Sequence, residues 1–184
     1  MIPSLQGHLL VASTRLEDPN FFRSVVLMVQ HDEMGALGLI LNRPTPGSLR
    51  DAWEFIDEGD CLRDDSIYHG GPVGSTLLAL HNDESLSDAT ILPGLYVASD
   101  KDRIARALRD PAISARLFHG YAGWGPGQLE DELRVGGWLI ATANAEMAFY
   151  ADDDLWEQTI DRIGDQILKP ALGKVPSPED PRVN

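Results

Sequence analysis

At 184 residues, with 43% hydrophobic and 24% charged residues, the chain is long enough to bury a core, and its composition is neither disordered nor fibrous. Its 29 acidic against 15 basic residues leave a net charge of −14, a field that repels phosphate backbones and anionic lipid and so argues against non-specific nucleic-acid binding. The single cysteine, Cys61, excludes an internal disulfide. No stretch approaches the roughly 20 apolar residues of a membrane span, and the N-terminus lacks the basic and apolar runs of a signal peptide, so a cytoplasmic protein without a membrane partner is expected.

The first third reads as strands: Gly7 to Ala12, then Ser24 to His31, then Ala36 to Asn42. The two longer runs are joined by Asp32-Glu33-Met34-Gly35 and are continuously apolar, which predicts an antiparallel hairpin buried on both faces. Pro44, Pro46 and Gly47 end it, and Ser48 can cap a short helix that carries Leu49, Trp53 and Phe55 or Ile56 and stops at Gly59. Ser66 to His69, Thr76 to His81 and Leu95 to Ala98 are further strands, the first two separated by Gly70-Gly71-Pro72-Val73-Gly74. Ser99 or Asp100 can cap a helix to about Asp110, ended by Pro111. Its Lys101, Arg103, Arg106 and Arg109 alternate with Asp100, Asp102 and Asp110, the pattern of a solvated face rather than a phosphate track.

Ala115 to Phe118 is a short strand that enters a glycine-rich loop, His119 to Gly127. A helix over Gln128 to Arg134 follows, acidic in its first turn and basic at its end, in accord with the helix dipole. Trp138 to Thr142 is a strand, Ala145 to Tyr150 a helix, and Asp153 or Asp154 caps a last helix with Trp156, Ile160 and Ile163 on one face. The proline-rich segment 174–184 reads as a flexible tail, leaving one domain over 1–173. Strands with helices interspersed irregularly indicate an α+β class.

Motifs for chemistry are sparse. Neither glycine cluster matches a phosphate-binding fingerprint. The five histidines, at 8, 31, 69, 81 and 119, are all at least twelve apart, without the close spacing of metal ligands, so no metal or cofactor is implied. Cys61 is surrounded by Asp60, Asp64 and Asp65, which would raise its pKa and blunt the thiolate. The acid clusters Glu130 with Asp131, and Asp152 to Asp154, fall in first helical turns, where acids are expected anyway. The glycine-rich loop ending at Gly127 is the strongest candidate surface, since glycines permit close backbone approach ahead of a helix N-terminus. Glu130 to Glu132 crowd that terminus with negative charge, however, and Tyr121 and Trp124 read as anchors over the core.

Several segments together, in order, resemble the YqgE/AlgH family of bacterial proteins: Gly7 to Ala12, Phe21 to Val26, Gly35 to Pro44, Gly70-Gly71-Pro72-Val73, Gly120 to Glu130, Trp138-Leu139 and Trp156. The resemblance implies a mixed, largely antiparallel, branched β-structure with a small closed barrel surrounded by helices. It brings no agreed catalytic residues; one branch carries the label of transcriptional regulator in exopolysaccharide production. Without a catalytic motif, the expected role is a non-catalytic binding or regulatory protein with a protein or small-molecule partner. The alternatives are a transcriptional regulator, against which stand the net charge and the lack of a basic recognition helix, and an enzyme with an unrecognised small-molecule site. The candidate surface comprises Asn42, Arg43, Gly70, Gly71, Pro72, Tyr121, Trp124 and Gln128.

Overall fold

The computed structural model describes residues 3–56, 63–150 and 154–172. Along these run β1 (His8–Ala12), β2 (Val25–Asp32), β3 (Gly35–Ile40), β4 (Pro44–Ser48), α1 (Leu49–Ile56), β5 (Ser66–His69), β6 (Val73–His81), β7 (Ala89–Leu92), β8 (Leu95–Ala98), α2 (Lys101–Arg109), β9 (Ala115–Trp124), α3 (Gln128–Arg134), β10 (Trp138–Thr142), α4 (Ala145–Phe149) and α5 (Leu155–Leu172). Cys61, Asp152, Asp153, the end of α1 expected at Gly59 and the 174–184 tail lie outside the described residues.

The ten strands form one sheet in the order β10-β1-β2-β3-β9-β6-β8-β7, with β5 joining β4 to β9 off that path. The pairings are antiparallel except for β5 with β9. The class is thus mixed and mostly antiparallel, as the resemblance implied. The closed barrel is not there. At the far end of the path, β7 meets the chain before β1 through a side chain, Gln6 Nε2 donating to the Thr90 carbonyl at 2.8 Å, instead of through a backbone ladder. The sheet therefore curls toward closure and keeps edges at β10, at β7 and, on the branch, at β4.

The base of the β2–β3 hairpin is buried as its continuous apolar run predicts, with Val25 to Val29 and Leu39 to Leu41 all within the core, whereas Ala36 and Leu37 toward the tip are only half-buried. That core continues through Leu9 to Ala12, Phe118, Trp124, Trp138 and Trp156. The α5 helix is pinned to β1 by the Trp156 indole, which donates to the Ala12 carbonyl at 2.8 Å. A second cluster forms where Leu49, Trp53 and Ile56 of α1 and Ile104, Ala105 and Leu108 of α2 cover Ala79, Ala98 and Leu117. The i, i+4, i+7 spacing of the α1 residues selects Ile56 as the third apolar contact. At the start of α1, Ser48 and Asp51 cap reciprocally, Ser48 N and Oγ donating to Asp51 Oδ2 at 3.0 and 2.8 Å. Asp100 caps α2 by accepting from the Asp102 and Arg103 amides.

Two expectations about elements are corrected, and one strand stands where the sequence reading placed no element. The stretch His119 to Trp124, read as loop, continues β9 to a ten-residue strand. Gly120 is there because neighbouring backbones touch, a Cβ on it standing 2.7 Å from the Gly71 carbonyl oxygen. A Cβ on Gly70 would stand 2.2 Å from the Gly120 carbonyl, and one on Gly71 would stand 2.2 Å from the Ala122 amide. Around this contact the sheet branches. On the edge of β9 away from β6, Phe118 and His119 pair with β5 and Ala122 to Trp124 with β3. Gly70 stitches both, its N–H donating to the His119 carbonyl and its carbonyl accepting from Ile40 N, each at 2.9 Å. Secondly, Pro44 to Ser48 is a strand. Proline suits an edge, and the Thr45 hydroxyl supplies a bond to the Ile67 carbonyl at 2.9 Å. The added strand, β7, follows the acidic stretch Asp83, Glu84 and Asp88, where the Asp88 carboxylate draws the chain toward α2 by accepting from Ser99 N at 2.6 Å and from Asp100 N at 3.2 Å.

Candidate functional site

The tip of the β2–β3 hairpin and the end of β9 enclose an open groove of about 440 Å³, lined chiefly by Asp32, Met34, Leu37, Val73, Tyr121 and Trp124. Local chemistry sets its shape. Asp32 Oδ1 accepts from Met34 N at 2.8 Å across the turn, which lifts Met34 into solvent, where it is 81% exposed. Gln30 Nε2 donates to the other Asp32 oxygen at 2.7 Å. These bonds, the side-chain one foremost, hold the Asp32 carboxyl below its ordinary pKa, so it is anionic at neutral pH. The rim is therefore a carboxylate beside exposed apolar side chains, Met34 and Val73.

Behind the groove, Trp124 is built into the core. Its ring stacks on Phe21 at 6.0 Å and meets Trp138 edge-on at 6.0 Å. Both indole N–H groups donate to Glu132 Oε2, at 2.9 and 2.8 Å. Gln128 is placed by the same carboxylate, its Nε2 donating to Glu132 Oε1 at 3.0 Å, while its Oε1 accepts from Gly125 N at 3.1 Å. Glu132, which sequence reasoning counted only as part of the acid crowding α3, is the hub of this network. Its neighbour Glu130 accepts from His31 Nε2 at 3.1 Å, and Leu5 N donates to His31 Nδ1 at 2.9 Å, so the ring is held as the Nε2–H tautomer.

The other candidate residues fall elsewhere. Asn42 is buried and saturated by backbone, Oδ1 accepting from Val25 N and Nδ2 donating to the Arg23 carbonyl, both at 2.9 Å. Arg43 donates to the Phe22 carbonyl. Gly70 and Gly71 are buried in the branch point, and Pro72 is exposed before β6. Of the predicted surface, the structure brings Tyr121 and Trp124 to the groove, with Gln128 bracing its rear wall. The five histidines do not converge, and among the described residues no group of three or more potential ligands is arranged for a metal. No described helix is long and apolar enough to cross a membrane. The α2 basic residues are engaged locally, Arg103 with Asp88 and the Ser87 carbonyl and Arg109 over the Trp53 ring.

One residue with functional chemistry escaped the sequence reading. Arg116, on β9, is 7% exposed and donates to the Ala148 and Leu41 carbonyls at 2.7 Å each. Its guanidinium lies 3.7 Å from the centroid of the Tyr68 ring. Among the described residues, no carboxylate pairs with it. Desolvation lowers its pKa, with Tyr68 opposing the shift; a guanidinium stays charged even so. The available signal was a lone arginine inside the apolar run Ala115 to Phe118, at a position a strand turns inward.

The comparisons with known proteins agree. A model of the AlgH-like family matches residues 9–168. A UPF0301 protein of Myxococcus xanthus is 39% identical over 166 residues, covering 88% of this chain and 92% of that one. A UPF0301 protein of Chlorobaculum tepidum is 36% identical, covering 97% and 95%. Among solved structures, the solution structure of the AlgH protein from Pseudomonas aeruginosa superposes with a TM-score of 0.73 at 28% identity, covering 97% of each chain. A crystal structure of a Corynebacterium diphtheriae protein gives 0.68 at 25% identity, over 88% of each. On these matches, the chain belongs to the AlgH-like family.

Proposed function

We propose that this chain is a non-catalytic, cytoplasmic binding protein whose groove at the hairpin tip receives a polypeptide segment with a cationic side chain next to an apolar one. The observation that carries the reading is the exposed Met34 beside the anionic Asp32, above a cleft whose volume lies in the usual ligand range of about 300–1,000 Å³. Exposed methionine adapts to apolar side chains of varied shape. The carboxylate selects a cation, and the net charge of −14 steers cationic partners toward the surface. A regulator that grips DNA fits this charge poorly.

Affinity capture with three variants tests the proposal. The same partner should be retained by the wild type and by Val135→Asp, an exposed position away from the groove, and lost by at least tenfold with Met34→Asp. A partner held equally by Met34→Asp, or one that duplex DNA displaces, sinks the reading.

A further inference from the structure

The far end of β9 holds a second, separate cavity of about 230 Å³, lined by Arg63, Ser66, Tyr68, Ser114, Arg116 and Tyr150 among others. The geometry points to a binding site for a small organic oxyanion, a carboxylate or phosphate carried on a planar ring. Arg116 supplies the reason. A cation buried without a counter-ion is costly, and such groups are ordinarily paired. Two carbonyl oxygens and the Tyr68 ring satisfy part of its donor set and soften its charge, but among the described residues no carboxylate neutralises it. Among the described residues, the cavity that Arg116 helps to line is where an anion can complete the pairing.

The remaining lining fits that occupant. Arg63 stands at the cavity with its side chain 17% exposed, held there by its bonds to the Asp110 and Ala115 carbonyls at 3.0 and 3.4 Å. The hydroxyls of Ser66 and Ser114 make no hydrogen bond among the described residues, which leaves two neutral donors for oxyanion oxygens. Tyr150, an exposed aromatic residue, borders the cavity as well. Asp65 also borders the cavity and opposes an anion, but its carboxylate is 62% exposed and reaches Arg63 only at 3.9 Å, where water screens it. The volume equals about eight waters, which suits one ring and one charged group. The site shares no lining residue with the hairpin groove, so either proposal can fail without the other.

Thermal unfolding of the full chain with phenyl phosphate or benzoate, each against sodium chloride at matched ionic strength, tests the site. Saturable stabilisation by either anion is expected, with amide shifts at Ser66, Tyr68 and Ser114 in a parallel NMR titration, and the anion that acts identifies the headgroup. Ser66→Asp, an exposed position, places a carboxylate at the cavity and should weaken binding at least tenfold. Arg116→Met should abolish it; where that variant does not fold, Ser66→Asp keeps the test decisive. Stabilisation matched by chloride, unchanged affinity in Ser66→Asp, or silence with both anions overturns the proposal.

Discussion

His81 ends β6 fully buried, stacked on Tyr96 at 6.1 Å between ring centroids. Neither ring nitrogen has a hydrogen-bond partner; the Asp83 backbone lies nearby outside bonding geometry. Desolvation holds its pKa below the ordinary value, while Asp83 and Asp88 pull it upward. The folded state thus disfavours the imidazolium more than the unfolded chain does. That contribution is complete above the unfolded pKa of about 6.5 and is lost as pH falls from there through the depressed folded value. Replacing His81 with Phe removes the titration and no hydrogen bond. The variant is expected to match wild-type stability at neutral pH to within about 1.5 kcal/mol and to lose less as pH drops from about 6.5 to 5. Urea midpoints across a pH series measure both, and an unchanged slope would assign the acid sensitivity elsewhere. Neither His81 nor Arg116 was legible as special beforehand. What distinguishes them is missing partners, and partners are a property of the packed interior rather than of spacing.

At the level of elements, periodicity carried far: β1, β2, β3, β5, β8, β10 and the five helices stand close to where apolar patterns and caps put them. It failed at β4, β7 and the second half of β9. In β9, glycines ordinarily punctuate loops, but here they let Gly70 and Gly71 press against Gly120 and Ala122, a contact between segments about 50 residues apart that no local window contains. The two roles are separable by mutation. Gly71→Ala drives a methyl group into backbone at 2.2 Å with φ at +152°, and it should cost more than about 3 kcal/mol, or prevent soluble folding. Gly127→Ala, at φ +76° with open space around it, should cost only about 1 kcal/mol. Paired denaturation curves decide, and equal losses would remove the branch point's claim to be the reason for these glycines.

At the level of the molecule, an uncurled end to the strand order has a measurable signature. In a closed barrel every strand is paired on both sides; here β10 and β7 each have one ladder partner, while β2 and β9 lie between neighbours. Amide hydrogen exchange should find the β2 and β9 amides at least about tenfold better protected than those of β7 and β10. Uniform protection across all of these strands would mean that the seam bridged by Gln6 closes in solution. The inner strand with most at stake is β9. Arg116 sits near its start and Tyr121 to Trp124 at its end, and hydrogen bonds to β3, β5 and β6 clamp it between. Such a strand cannot slip by one residue without turning every side chain to the opposite face, so its register is held at both ends at once. An occupant at one end that shifts β9 would alter affinity at the other, and by thermodynamic reciprocity the coupling factor would be the same in both directions.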